Sequence, residues 1–145
     1  MKRRTFKTKI NASKEKVWKV LWGDETYPKW TAPFMEGSRA ETDWEQGGKI
    51  HFLGPDGNGM VARIKKSDPY SAMYFEHLGV VKDGVEDTES EKAKKWAGAE
   101  ENYTLEKTDG KTELTVETDI AEEYLESFEK AWPEALLKVK ELSEQ

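Results

Sequence analysis

Two histidines, His51 and His77, and the absence of cysteine set the first limits on the chemistry of this chain. Without cysteine there is no disulfide, no thiolate nucleophile and no cysteine-ligated metal centre. Both histidines lie in predicted strands with apolar neighbours such as Phe52 and Phe75. Either ring could serve as an acid–base or orienting group inside a cavity, or could complete a hydrogen bond of the sheet.

Three other kinds of catalytic or binding motif are missing from the sequence. The acids of residues 83–91 do not have the ligand order of a calcium loop, and no other cluster has metal-ligand spacing. None of the serines lies in a nucleophile elbow. The glycine-rich run 54–59 lacks the Lys-Ser/Thr of a phosphate loop and predicts a hairpin turn instead. We therefore predict no metal site, no cofactor and no catalytic residue.

Aromatic residues give a stronger indication, because the chain contains six Trp, five Tyr and five Phe. We expect several of them to converge between a sheet and a helix, either as core or as the wall of a pocket for a small, largely apolar or aromatic ligand. The residues predicted to line this pocket are Trp30, Phe34, Trp44, Ile50, Phe52, Met60, Met73, Phe75, His77, Tyr103, Phe128 and Trp132. The polar groups that would orient the ligand are His51, His77, Arg63 and Glu76. Alternation places Met60, Ala62 and Ile64 on one face, in which case Arg63 would point outward, and an error of one residue in strand-face parity would invert this assignment.

The spacing of apolar residues predicts the elements that position these side chains. A strand at residues 3–11 precedes a short amphipathic helix with an N-cap at Ser13 and an end at Gly23. From residue 36 the period becomes two, which is typical of strands. The predicted strands are 36–44, 49–53, 60–66, 72–79, 102–107 and 112–120, the last two joined by a turn at Asp109-Gly110.

The segment 82–101 interrupts this series of strands. It is charge-rich and nearly strandless, with one or two helical turns expected at 90–97. Few apolar residues could anchor it, so we expect it to be mobile, with Trp96 holding its end against the body.

A long amphipathic helix is predicted from Glu122 onward, because apolar residues recur there at steps of three and four. Pro133 lacks the N–H that would bond to the carbonyl of Glu129, so we expect a kink or break near 129–133.

Size and charge limit the class of protein. A chain of 145 residues fits one domain spanning 1–145, and a net charge of −6 argues against nucleic acid as a partner. No apolar run is long enough for membrane insertion, and we expect a cytoplasmic location. Residues 1–16 carry seven Lys/Arg and one Glu, whereas 119–145 carry eight acids and three Lys. This asymmetry predicts either attraction between the two ends or a basic strip that docks a partner.

The order of elements predicts an α+β fold, in which an antiparallel sheet of about seven strands curves around the last helix. The apolar stripe of that helix is the only cover large enough for one face of the sheet. A curved sheet and a straight helix do not match everywhere, so we expect a cavity between them.

Several short motifs follow one another along the chain: Ile10–Trp18, Trp30, Gly47–Ile50, Asp56-Gly57, Gly59–Val61 and Glu129–Trp132, together with Leu136 and Leu142. In this order they resemble the START-like superfamily, and most closely its branch of activators of the heat-shock protein 90 ATPase. The resemblance covers nearly the whole chain and implies a helix-grip fold. Superfamily members include ligand carriers, cyclases and cochaperones, so the resemblance specifies the fold more closely than the function.

Three functions remain open on these observations. The first is a binding module for a small apolar ligand, and the second is a cochaperone-like domain that stimulates a chaperone ATPase. The third, a cyclase or hydrolase, has no supporting constellation of residues.

If a cavity exists, we expect its entrance between the segment 82–101, residues 27–34 and the last helix near Pro133, where regular structure is interrupted.

Overall fold

The computed structural model describes residues 1–145 and contains eight strands, four α-helices and one 3-10 helix. In chain order these are β1 Lys2–Ile10, α1 Lys14–Trp22, α2 Tyr27–Thr31, β2 Arg39–Glu41, β3 Lys49–Leu53, β4 Gly59–Asp68, β5 Ala72–Lys82, β6 Val85–Asp87, α3 Glu91–Lys94, β7 Glu100–Thr108, β8 Lys111–Ile120, the 3-10 helix Glu122–Tyr124 and α4 Leu125–Ser143. The predicted α+β helix-grip class is confirmed, with a curved antiparallel sheet and a long C-terminal helix.

All strand pairs are antiparallel, and the sheet order is β1-β8-β7-β5-β4-β3-β2. One edge of β5 is shared: its first half pairs with β7 and its last three residues pair with β6. Gly79 lies between these two pairings, where a Cβ would collide with the carbonyl oxygen of Asp87. Glycine therefore lets the chain after β6 cross close to β5.

Helix α1 begins and ends as its sequence predicts. The Ser13 hydroxyl accepts a hydrogen bond from the Lys16 N–H (3.1 Å), which satisfies one of the free donors of the first turn. The Gly23 N–H donates to the Lys19 carbonyl (2.9 Å) at the other end.

The predicted strand 36–44 is wrong in length, because only Arg39–Glu41 pairs with β3. Gly37 has a φ of 80° and Trp44 a φ of 62°, and such left-handed residues cannot continue a strand. The period-two spacing of the side chains gives no sign of these two left-handed residues.

The segment 82–101 is more regular than predicted. Asp83 and Gly84 have φ values of 53° and 79°, the two positive angles of a tight hairpin turn, and they connect β5 to β6. The expected helical turn is present as α3, capped by the Ser90 hydroxyl, which accepts from the Ala93 N–H (3.2 Å). The prediction of a nearly strandless segment is therefore wrong for β6.

Helix α4 packs against the sheet through residues after its first turn and a half. It continues through Pro133 as one α-helix, so the expected break is not observed. Its fully covered residues are Ala131, Trp132, Ala135, Leu136, Val139 and Ser143. They cover the main hydrophobic core, which includes side chains from α1, α2 and every long strand.

The two charged ends of the chain attract each other, which is the first of the two alternatives predicted from their charges. Arg3 forms an ion pair with Asp119 (2.9 Å), and Arg4 forms one with Glu129 (2.8 Å). The Arg3 guanidinium lowers the pKa of Asp119 below its usual value, chiefly by hydrogen bonding.

Candidate functional site

The inner face of the sheet carries an aromatic surface with one acidic group. Along β5 and β7 the side chains that point toward α4 include those of Phe75, His77, Glu101 and Tyr103. Phe75 and Glu101 are direct cross-strand partners. Side chains two residues apart share a face of a strand, so an acid stands in the same row as the buried Tyr103.

Most of the predicted pocket residues are brought together. Rings pack edge to face, with centroids 4.8 Å apart for Phe34 and Trp132, and 5.1 Å apart for Phe52 and Phe75. Residues of the predicted set that lie in or against the main core are Trp30, Phe34, Trp44, Ile50, Phe52, Met73, Phe75, Tyr103, Phe128 and Trp132. His77 joins them through its ring contact with Phe52, whereas Met60 lies in neither hydrophobic cluster.

Trp22 is a central residue of this cluster that the sequence analysis missed. Its ring contacts Trp44 (5.1 Å), Phe75 (5.5 Å) and Tyr103 (4.9 Å), and its indole N–H is buried without a hydrogen-bond partner. The spacing of Trp18 and Trp22, four residues apart on one helix, was the signal that could have identified it.

Glu101 is the polar centre of the candidate site. Its Oε2 accepts a hydrogen bond from the Tyr103 hydroxyl (2.5 Å), and its Oε1 lies 3.9 Å from His77 Nε2. No Lys or Arg side chain forms an ion pair with this carboxylate. Burial first, and the negative charge of Glu101 second, raise the pKa of Tyr103 and of Tyr27 well above their usual value.

His77 has an unsatisfied polar atom in the same place. Its side chain is almost fully buried, and Nδ1 makes no hydrogen bond. Together His77 and Glu101 offer a bound molecule a carboxylate oxygen and a ring nitrogen, both surrounded by aromatic rings.

The other three predicted polar groups lie on the outer face of the sheet. Arg63 forms an ion pair with Glu76 (2.6 Å), and His51 Nε2 lies 2.7 Å from the Glu86 carboxylate. The alternative that placed Arg63 outward therefore agrees with the structure. These pairs leave His77 as the one predicted polar group on the inner face.

A row of stacked rings covers the site at the start of α4. Trp96 stacks on Tyr124, and Tyr124 stacks on Phe128, with 5.8 Å between ring centroids in each pair. The Trp96 ring also contacts His77 (6.4 Å). Trp96 thus holds the end of the segment 82–101 against the body, as the sequence predicts.

Two open grooves lie on the surface of the molecule. One, of about 520 Å³, lies between β1 and α4 beside Pro133, and the other, of about 190 Å³, lies between Tyr27, Phe52 and the hairpin 54–59. Residues of 82–101 line neither groove, so neither matches the predicted entrance. The smaller groove reaches Phe52 and Tyr27, the outer neighbours of the Glu101 cluster.

No group of three or more His, Asp or Glu side chains has the geometry to hold a metal ion. No helix is both long enough and apolar enough to cross a membrane.

The fold and this aromatic inner face define a helix-grip protein of the START-like superfamily. The family model described as Activator of Hsp90 ATPase homolog 1-like protein matches residues 11–144, and the chain belongs to this family. A search of curated proteins found no match.

Solved structures with the same fold come from several bacteria. The Aha1 dimer from Colwellia psychrerythraea is 19% identical, with a TM-score of 0.71 and coverage of 99% of this chain and 97% of that one. Protein CV1439 from Chromobacterium violaceum is 16% identical, with a TM-score of 0.70 and coverage of 100% and 99%. CalU16 from Micromonospora echinospora is 15% identical, with a TM-score of 0.67 and coverage of 97% and 75%. At these identities the likeness shows a shared fold.

Proposed function

We propose that residues 1–145 form one domain that binds a small, largely apolar ligand between the sheet and α4, in the cytoplasm. The pocket residues are those predicted from the sequence, extended by Trp22, Tyr27 and Glu101. The observation that carries this proposal is a carboxylate without a cationic partner on an aromatic inner face.

Glu101 restricts the chemistry of the ligand. A carboxylate surrounded by rings favours a hydrogen-bond donor or a positive charge, because the rings attract cations and burial weakens competition from water. The Tyr103 hydroxyl occupies one carboxylate oxygen and leaves the other free. The proposed ligand therefore has an aromatic or aliphatic body and one amino or similar donor group.

Entry requires a movement of side chains. The smaller groove, about 190 Å³, is below the range of about 300–1,000 Å³ that is usual for pockets of drug-sized ligands. Rotation of Phe52, which is only partly buried, would connect this groove to His77. A ligand of about ten heavy atoms is the size that this route suits.

The proposal is tested with natively purified protein and a pair of probe ligands. Native mass spectrometry detects any molecule that copurifies, and quenching of tryptophan fluorescence measures binding of 2-phenylethylamine against its neutral partner 2-phenylethanol. We expect the amine to bind more tightly. Glu101→Gln should remove this preference, whereas Glu113→Gln, an acid of β8 in no ion pair, should retain it. Absence of both copurified ligand and probe binding would contradict the proposal.

Stimulation of a chaperone ATPase is the second candidate function, supported by membership of the Hsp90-activator family. It is tested by ATPase assays of a heat-shock protein 90 with and without the domain. Binding of the chaperone together with a higher ATPase rate would favour this function. If the domain neither binds the chaperone nor raises its ATPase rate, this function is excluded.

A further inference from the structure

We propose that the outer edge of β1 docks an extended, acidic segment of a partner protein, which adds a strand to the sheet. β1 is the first strand of the sheet order, so its outer edge has no strand partner. It is nine residues long and contains no proline. Free N–H and C=O groups along such an edge can pair with another chain, and strand addition is a recurrent mode of peptide binding.

The backbone groups of the odd-numbered residues point to this outer edge. The Arg3 carbonyl accepts a hydrogen bond from the Arg4 guanidinium (3.1 Å), and the Lys9 carbonyl accepts one from Lys140 Nζ (3.0 Å). Both donors lie outside the β1–β8 ladder. Orientation alternates along an antiparallel strand, so Thr5 and Lys7 face the same way. Neither makes a backbone hydrogen bond to a loop, which leaves both available to a partner strand.

A groove beside this edge can receive an apolar side chain of the added strand. The groove measures about 520 Å³ and is lined by Thr5, Phe6, Lys7, Thr8, Pro133, Leu136 and Leu137. Four consecutive residues of β1 line it, so it follows the edge and not one face of the strand. Leu137 is 53% exposed, whereas the other large apolar residues of α4 are buried or half-buried. A bound strand would cover Leu137.

The charge of β1 decides between possible occupants. The strand carries five Lys or Arg residues and no acid, and Lys7 and Lys9 form no ion pair. If a second copy paired in antiparallel register about Phe6, Arg3 would stand opposite Lys9. Like charges that face each other across strands are destabilising, whereas acids opposite Lys7 and Lys9 would be favourable. Charge therefore favours an acidic segment over a second copy of this chain.

The full chain is tested with a fluorescent, end-blocked peptide of four Glu-Val repeats, and with a Lys-Val peptide as its charge-reversed control. Fluorescence anisotropy at low salt should show binding of the Glu-Val peptide alone. Lys7→Glu should weaken binding about fivefold or more, since it replaces an attraction by a repulsion. Thr5→Pro should abolish binding, because it removes an outward N–H and leaves the β1–β8 ladder intact. Lys92→Glu, an equal charge change on α3, should have no effect.

A second pair of measurements keeps the proposal falsifiable if Thr5→Pro fails to fold. Leu137→Ser changes an exposed residue, so it should keep the melting temperature and still weaken peptide binding. Amide exchange at Thr5 and Lys7 should slow when the Glu-Val peptide is bound. The proposal is wrong if this peptide does not bind, or if it binds Lys7→Glu and Leu137→Ser as tightly as the original chain. It is also wrong if sedimentation shows a dimer that Lys7→Glu strengthens, because the occupant is then a second copy.

Discussion

The two faces of the sheet differ in whether their acidic side chains have cationic partners. On the outer face, Glu76, Glu86 and Glu100 each lie within 3.2 Å of a cationic side chain. Hydrogen bonds from Lys49 and Lys65 lower the pKa of Glu86 and of Glu100. On the inner face Glu101 has only a tyrosine hydroxyl, and a histidine 3.9 Å away.

This difference separates the residues that stabilise the fold from those available to a ligand. Exposed ion pairs contribute little to stability, typically up to about 1 kcal/mol each, because water competes for both partners. Ring packing inside contributes more, yet it leaves the indole nitrogen of Trp22 and Nδ1 of His77 without a hydrogen-bond partner, and the Glu101 carboxylate without a cationic one. Buried polar groups without partners are costly, and the two in this aromatic cluster indicate where a ligand would restore hydrogen bonds.

The largest expected effect comes from the inner face, in the variant Trp132→Ala. Trp132 is buried and contacts Phe6, Phe34 and Tyr103 with its ring. Loss of its transfer free energy and the cavity left behind should destabilise the chain by about 3–5 kcal/mol. Urea unfolding measures the free energy, and a midpoint equal to that of the original chain would contradict the role of this ring.

Two tyrosines that pack on the inner face should make the chain unfold at alkaline pH. Tyr27 and Tyr103 have raised pKa values in the folded chain, so they keep their protons where an unfolded tyrosine, with a pKa near 10, begins to lose its own. The unfolded state then binds fewer protons, and stability falls as the pH rises above about 10. Denaturation followed by circular dichroism should coincide with tyrosinate absorption of these two residues, and Tyr103→Phe should move the transition to higher pH. Ionisation of both tyrosines well before unfolding would contradict the burial of their hydroxyls.

The smallest effect should come from the outer face, in the variant Arg63→Met. This change removes the ion pair with Glu76 but keeps an unbranched side chain of similar length. We expect a loss of less than about 1 kcal/mol, and less still at high salt. A loss comparable to that of Trp132→Ala would show that the outer pairs, and not the inner rings, carry the stability of the sheet.

Local signals in the sequence predicted much of the fold. The cap at Ser13, the turn at Asp109-Gly110 and the apolar stripe of α4 each depend on neighbouring residues, and each was predicted correctly. The turn at Asp83-Gly84 carries the same signal, but the acids that follow it do not resemble a strand. β6 forms there because β5 offers it a free edge, and that edge depends on contacts distant in sequence.

The candidate site was less predictable, for two physical reasons. Glu101 was overlooked because the charge-rich segment 82–101 was predicted to be nearly strandless, and only the pairing of β7 with β5 and β8 turns its side chain inward. The predicted aromatic residues converge as expected, yet their spacing along the chain does not determine how completely their rings fill the interior. Both properties follow from register and sheet curvature, which depend on the whole sheet.

The burial of its side chains divides α4 into two units, before and after Ala131. No residue between Leu125 and Lys130 is fully buried, whereas the part from Ala131 onward carries every buried side chain of the helix. Pro133 removes the hydrogen bond that would join the Glu129 carbonyl to the later part. The first unit can therefore unfold locally at a lower free energy than the whole domain, without disturbing the core beneath the second. Because the first unit carries Phe128, which stacks on Tyr124 of the preceding 3-10 helix, this local unfolding would expose the Glu101 site while the rest of the domain stays folded.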